Sequence, residues 1–120
     1  MRLLLAALAV TCTASYSYAD SQDIDRVTGV WQCVEVCQCP NPNPGKYACI
    51  KADPDKKSLK IWNECDNETT GSYDTATRTV TADSWHITGT VNADFSRLKW
   101  TTNQTVWNKA VSPDPTFCAQ

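Results

Sequence analysis

Alternating apolar and polar residues in the last third of the chain predict three consecutive β-strands. From Ile87 to Val91 every second residue is apolar or glycine, and threonines fill the positions between them. The alternation returns at 97–100 and again at 106–107, each time after turn-forming residues. A period of two is typical of a strand, because successive side chains leave opposite faces of a sheet. We interpret this part of the chain as an antiparallel meander.

The same pattern predicts on which face Trp100 lies. Leu98 and Trp100 share one side of their strand, with Arg97 and Lys99 on the other side. In a meander, the apolar side of one strand continues the apolar side of its neighbour. Trp100 is therefore predicted to be largely buried in the core.

Shorter segments with the same period precede the meander, and they predict an all-β chain. A helical turn is expected only within 20–28, where Ile24 and Val27 lie three residues apart. Turn-forming Gly, Asn, Asp and Pro separate the other segments, as in consecutive hairpins. We expect one small antiparallel meander, a barrel or closed sandwich of about seven or eight short strands stapled by disulfides. The predicted strands before the meander are 29–36, 47–52, 58–63, 71–73 and 79–82, and the first strand of the meander is predicted over 85–91.

The first 19 residues are typical of a secretory signal peptide. Arg2 is followed by an uncharged apolar run over 3–10 and by small residues that end at Ala19. The run is too short to cross a bilayer, which takes roughly 20 residues. The alternatives are a buried N-terminal strand or helix, and a lipoprotein signal at Cys12, which the bulky preceding residue disfavours.

Removal of residues 1–19 would leave a single domain over 20–120, secreted or periplasmic and not inserted in a membrane. About 100 residues can bury only one modest core. The chain has 11 Lys and Arg against 13 Asp and Glu, so loss of Arg2 would leave a formal charge of −3. The charges are scattered without a basic block, which disfavours nucleic acid and anionic membrane surfaces as partners.

The cysteines favour a disulfide framework. Removal of Cys12 with the signal peptide would leave six of the seven cysteines, an even number in a small exported chain. Six cysteines allow 15 pairings, and the sequence does not choose among them. In the favoured hypothesis, one disulfide closes a proline-rich loop and a second fixes the C-terminal tail. The third pair then follows by elimination. Its pairs are Cys39–Cys49, Cys65–Cys118 and Cys33–Cys37.

A metal site is the alternative use of the segment Cys37-Gln38-Cys39. Structural zinc sites favour a longer spacing between paired cysteines or several histidines, and this chain has only His86. Disulfides are favoured over thiolate ligands in an oxidising compartment. Neither a metal nor a cofactor is therefore predicted.

The tripeptide Gly29-Val30-Trp31 resembles the opening of the first strand in calycins, which are lipocalins, avidins and small bacterial metalloprotease inhibitors. Those proteins place Gly-x-Trp after a short helical turn and continue as an up-and-down barrel. The resemblance implies that Trp31 plugs one barrel end and that a C-terminal cysteine is tied back to the barrel wall. The cluster Cys33-Cys37-Cys39 is not part of their pattern.

A catalytic alternative uses carboxylates. Glu64, Asp66 and Glu68 lie in one polar segment, and glycosidases use two carboxylates that flank the scissile bond. No glycine-rich elbow accompanies Ser84 and His86, as nucleophilic catalysis by serine would need. A small secreted hydrolase built on these acids with His86 is an alternative to a solvated loop and a rim histidine.

Tryptophan residues indicate a candidate binding site. The chain has five, and four of them have polar neighbours on predicted strands or strand ends. Tryptophan beside amides and hydroxyls stacks on sugar rings, and it is also favoured in protein–protein hot spots. The alternative is that these rings fill the interior of a small barrel. The predicted binding cluster is Trp85, His86, Trp107 and Asn108.

The function that these patterns indicate is non-catalytic binding. We expect an exported binding protein or inhibitor that acts on a protein or glycan partner. The alternatives are the small hydrolase and a purely structural or interaction protein. Two segments, Asn67-Glu68-Thr69 and Asn103-Gln104-Thr105, match the N-glycosylation sequon, which matters only in a eukaryotic secretory pathway.

The disulfide framework predicts the outcome of thiol titration. The mature, unreduced protein is expected to contain no reactive thiol, because all six remaining cysteines would be paired. Titration with a thiol reagent under denaturing conditions measures this directly. Two or more titratable thiols would contradict the framework and favour the metal-site interpretation instead.

Overall fold

Eight antiparallel strands form a closed barrel in which each strand pairs with its neighbours in chain order. A computed structural model of the protein describes residues 23–39, 46–55, 57–111 and 118. A single helical turn over 23–27 precedes the first strand. The predicted all-β meander is confirmed, and it closes as a barrel. The strands are β1 Gly29–Glu35, β2 Tyr47–Ala52, β3 Leu59–Trp62, β4 Glu68–Asp74, β5 Thr79–Ala82, β6 Ile87–Val91, β7 Arg97–Trp100 and β8 Val106–Lys109.

The barrel interior is filled by the alternate apolar positions that the sequence predicts. On β7, Leu98 and Trp100 are buried while Arg97 and Lys99 are exposed, so the predicted burial of Trp100 is confirmed. Gly89 lies opposite Trp100 in the ladder. A Cβ atom there would lie 2.8 Å from Leu98 Cδ1 and 3.0 Å from Trp100 Cε3, so the missing side chain makes room for the indole.

Pairing of β1 with β8 closes the sheet on itself. Trp31 lies opposite Lys109, Cys33 lies opposite Trp107, and the register shifts between Cys33 and Glu35. Such an irregularity is typical of the rim of a barrel, where it bends the strand. Closure leaves none of the eight strands as a free edge.

One end of the barrel is plugged by the helical turn and its contacts with Trp31. The Trp31 indole is fully buried, and its N–H donates to the Val27 carbonyl at 2.9 Å. Lys109 Nζ donates to the carbonyls of Arg26 and Thr28 at 2.7 and 2.8 Å. It also lies 4.7 Å from the centre of the Trp31 ring. Burial, helped by the nearby Arg26 charge, lowers the pKa of Lys109 to about 8.

Three disulfides are present, but only one joins the cysteines that the favoured hypothesis paired. The bridge Cys33–Cys37 is as predicted, whereas the pairs Cys39–Cys49 and Cys65–Cys118 are wrong. Ala48 and Ile50 point into the core, so the intervening Cys49 lies on the outer side of β2. Cys118 lies at this outer wall, beside the Gly29 carbonyl. The bridges are Cys33–Cys37, Cys39–Cys65 and Cys49–Cys118.

Several predictions concern segments outside the described residues. The predicted signal peptide over 1–19, most of the proline-rich loop and the turn over 112–115 all lie there. Within the described part of the chain, no helix has the length and apolar character needed to cross a membrane.

Replacement of Trp100 tests the inward face of the meander. Trp100→Ala is expected to lower the free energy of unfolding by roughly 3–5 kcal/mol, the scale of a large aromatic deletion from a core. Trp62→Ala is the matched control, because Trp62 is only half-buried on the outer side of β3. Urea denaturation measures both. Equal losses for the two variants would contradict the burial assignment.

Candidate functional site

The barrel end opposite the Trp31 plug contains a cavity of about 200 Å³. Successive antiparallel strands bring four chain segments to this end: the residues after β1 and the turns that follow β3, β5 and β7. Each segment contributes at least one side chain to the wall. The lining residues are Gln38, Asn63, Glu64, Trp85, Ile87, Trp100, Asn103, Thr105 and Trp107.

Three tryptophans form the apolar part of the wall. The Trp100 and Trp107 rings pack edge to face with their centres 5.2 Å apart, and Trp85 packs against Trp100 at 6.4 Å. Trp100 and Trp107 are each 1% exposed, whereas Trp85 is half-buried and lies nearest the solvent. Edge-to-face packing holds each ring against its neighbour, so the aromatic wall is rigid before any ligand binds.

Glu64 places a buried carboxylate in the same cavity. Its side chain is 4% exposed, and its two oxygens accept hydrogen bonds from the Gln38 backbone N–H at 2.7 Å and from Trp107 Nε1–H at 3.2 Å. The ion pairs between described residues are Lys60–Glu68 and Arg97–Glu35, and neither involves Glu64. A carboxylate offers about four acceptor positions. The described residues therefore use two of these positions.

Other polar groups of the wall differ in whether they have a hydrogen-bond partner among the described residues. The Gln38 amide donates to Thr105 Oγ1 at 3.0 Å, and Thr105 Oγ1 donates to the Val36 carbonyl at 2.6 Å, which ties these segments together. Trp100 Nε1–H is buried without an acceptor among the described residues. An unpaired buried N–H is costly, so this donor is a destabilising feature of the barrel end.

The loop that carries Glu64 is fixed by local hydrogen bonds and by a disulfide. The Asn63 side-chain carbonyl accepts the backbone N–H groups of Cys65 and Asn67, each at 2.9 Å. Such a bond pattern closes a tight turn, as asparagine commonly does. The Cys39–Cys65 bridge then joins this turn to the segment that carries Gln38. Glu64 is therefore held from both sides.

Cys33, Cys37 and Glu64 lie close enough to suggest a metal site, with their ligand atoms within 4.8 Å of one another. The two sulfur atoms are bonded to each other in a disulfide. Zinc and similar metals bind the thiolate form of cysteine. The donor set of the oxidised protein therefore does not fit a metal ion.

Trp85 is positioned by a turn and not by a strand. The prediction placed it in a strand over 85–91, but β6 begins at Ile87. The turn is bonded to β4, because Thr69 Oγ1 accepts the Ser84 N–H at 2.9 Å and the Ser84 hydroxyl at 2.7 Å. His86 closes the turn with a positive φ of 54°. Because of this turn, the strand begins two residues later than the alternation predicts.

The cavity brings together two members of the predicted binding cluster. Trp85 and Trp107 both line it. Trp85 lies in the turn between β5 and β6, whereas Trp107 lies on β8, so the barrel fold brings them to the same end. His86 is exposed in its turn and does not contribute to the lining. Asn108 pairs with Gln32 and Arg97 on the face of β8 opposite to Trp107. Period-two alternation separates Asn108 from the cavity.

Glu64 and Trp100 are among the lining residues that the predicted cluster missed. Trp100 was assigned to the core, and its ring also forms part of the cavity wall. Glu64 was grouped with Asp66 and Glu68, which are both exposed and do not line the cavity. No sequence pattern distinguishes these three acids, because the inward turn of Glu64 depends on contacts with Gln38 and Trp107.

Comparison of the chain with protein-family models, curated proteins and solved structures gave no match. Conclusions about function therefore rest on the cavity.

Thr69 offers a test of how the Trp85 turn is positioned. Thr69→Val keeps the side-chain shape but leaves the Ser84 N–H without its acceptor, so we expect a loss of about 1–3 kcal/mol in the free energy of unfolding. Thr70→Val is the matched control, since the Thr70 hydroxyl bonds Asp83 in an exposed position. Denaturant unfolding measures both. A loss no larger than that of the control would contradict the proposed support of the turn.

Proposed function

We propose that the protein is an exported, non-catalytic binding protein that takes the end of a glycan into the cavity at the open barrel end. The observation that carries this proposal is the juxtaposition of three tryptophans with the buried Glu64 carboxylate. Of the partner classes predicted from the sequence, a protein or a glycan, this combination favours the glycan.

Sugar rings match the chemistry of the wall. The apolar face of a sugar packs on tryptophan, while its hydroxyl groups both donate and accept hydrogen bonds. Glu64 supplies acceptors, and Trp100 Nε1–H supplies a donor. The side-chain carbonyls of Asn63 and Asn103 are used within their own turns, so their amide N–H₂ groups add further donors. One hydroxyl can bond a donor and an acceptor of this wall at once.

Cavity size favours one sugar residue over an extended chain. Sites for drug-sized ligands span about 300–1,000 Å³. The cavity of about 200 Å³ is smaller, and Trp85 is the most exposed of its three tryptophans. A terminal sugar would enter past Trp85, with the remainder of the glycan outside the barrel.

No observation at the cavity favours the hydrolase alternative. A glycosidase needs two carboxylates that flank the scissile bond. Glu64 is the one carboxylate among the described residues that line the cavity, and His86 lies outside it. Binding needs only the single acid.

We also propose that the chain is related to the calycins and that it is exported from the cell. Its supports are the closed eight-stranded meander, the Gly29-Val30-Trp31 opening after a helical turn, and the Cys49–Cys118 bridge to the barrel wall. Three disulfides favour an oxidising compartment, secreted or periplasmic.

Trp85→Ala tests the proposed site at the least buried of its three tryptophans. Binding to a panel of immobilised glycans identifies a ligand, and isothermal titration then measures its affinity. We expect Trp85→Ala to weaken binding by at least about 2 kcal/mol, the hot-spot scale, while the circular dichroism spectrum stays unchanged. Trp107→Ala is a poorer test, because Trp107 is 1% exposed and packs in the core.

Trp62→Ala is the matched control, since Trp62 is a half-buried tryptophan outside this cavity. It should bind the ligand like the unaltered protein. Binding of no glycan, or equal affinity of Trp85→Ala and the unaltered protein, would refute the proposed function.

A further inference from the structure

We propose that the sugar recognised in this cavity carries a free amine, and that Glu64 selects it by pairing with its ammonium group. The inference rests on the proposed function and specifies its ligand class as an amino sugar. Three observations on the wall carry it: an unpaired buried carboxylate, tryptophans without a cation of their own, and an unsatisfied indole N–H.

Glu64 is a buried charge that the described part of the chain does not neutralise. Its hydrogen bonds come from the neutral Gln38 N–H and the neutral Trp107 indole, and no ion pair between described residues includes it. Removal of a carboxylate from water is costly unless it is paired. A ligand ammonium would supply both the missing charge and a charge-assisted hydrogen bond.

The tryptophans elsewhere in the barrel provide an internal comparison. Lys109 Nζ lies 4.7 Å from the Trp31 ring centre, and Lys51 Nζ lies 5.8 Å from that of Trp62. Within the described residues, no such cation faces Trp85, Trp100 or Trp107. Tryptophan is the aromatic side chain that attracts cations most strongly. The three rings and Glu64 line one cavity, and the described residues place no cation there.

An ammonium group alone would leave part of the wall unsatisfied. Trp100 Nε1–H needs an acceptor, which an ammonium cannot be. A hydroxyl group next to the amine would accept from this indole. Amine and hydroxyl on one ring, with an apolar ring face for the tryptophans, are the features of a hexosamine with a free amine.

The direct test compares small probes on the unaltered protein. Glucosamine, glucose, N-acetylglucosamine, glucuronate and ethanolamine are titrated at neutral pH and low salt, with tryptophan fluorescence and calorimetry as readouts. We expect glucosamine to bind at least about tenfold more tightly than glucose, in line with the strength of a hydrogen bond to a charged group. N-acetylglucosamine should lose this advantage, and glucuronate should bind weakest because Glu64 repels its carboxylate.

Glu64→Gln tests whether Glu64 is the source of the preference for glucosamine over glucose. It removes the charge at nearly constant size, so the affinity ratio of glucosamine to glucose should fall to near one. Glu68→Gln removes the same charge from an exposed position of the neighbouring strand β4 and should keep the ratio. Melting temperatures of both variants are recorded. The probe series on the unaltered protein does not depend on how well either variant folds.

The outcomes separate this inference from the proposed function. Equal binding of glucose and glucosamine, or an unchanged affinity ratio in a folded Glu64→Gln variant, would contradict recognition of the amine by Glu64. Neither result would contradict glycan binding. If ethanolamine binds as tightly as glucosamine, the result would support recognition of the amine but contradict the claim that the ligand is a sugar. Binding of none of the probes, together with no ligand in the glycan panel, would overturn both.

Discussion

Antiparallel pairing between β1 and β8 is the interaction on which the rest of the structure depends. A meander of strands four to seven residues long would otherwise have two free edges and one uncovered apolar face. Pairing of Trp31 with Lys109 and of Cys33 with Trp107 converts that face into an enclosed interior. It also makes the two ends of the barrel different. One end receives the helical turn and Trp31, and the other is bounded by turns and disulfides.

The disulfides stabilise the end where the strands contribute least. Small domains have few apolar contacts to hold polar loops in place. Two of the three bridges lie among the segments around the cavity, and Cys39–Cys65 joins the neighbours of Gln38 and Glu64. The third, Cys49–Cys118, fastens Cys118 to the outer wall. Bridges that restrict the unfolded chain offset what the small core lacks.

Both barrel ends combine tryptophan with a charged side chain, a cation at the plugged end and a carboxylate at the open end. At the plugged end, tryptophan and a cation both come from the chain, as Trp31 and Lys109, and Lys109 Nζ is satisfied by backbone carbonyls. At the open end, tryptophans surround Glu64, and among the described residues no cation pairs with it. Local features that oppose stability are expected where a protein binds a partner. The unpaired carboxylate is such a feature.

Local pattern predicted that the strands exist and which faces are apolar, although β4 begins before and β6 begins after the predicted positions. Alternation placed Leu98 and Trp100 inside, because a period of two is a property of the strand itself. Only the tertiary structure decided that Glu64 turns inward, that Trp85 and Trp107 line one cavity, and which cysteines are joined. These outcomes depend on closure, on ladder register and on turns tied to distant strands. Such contacts join residues far apart in the chain, and residue types at single positions do not specify them.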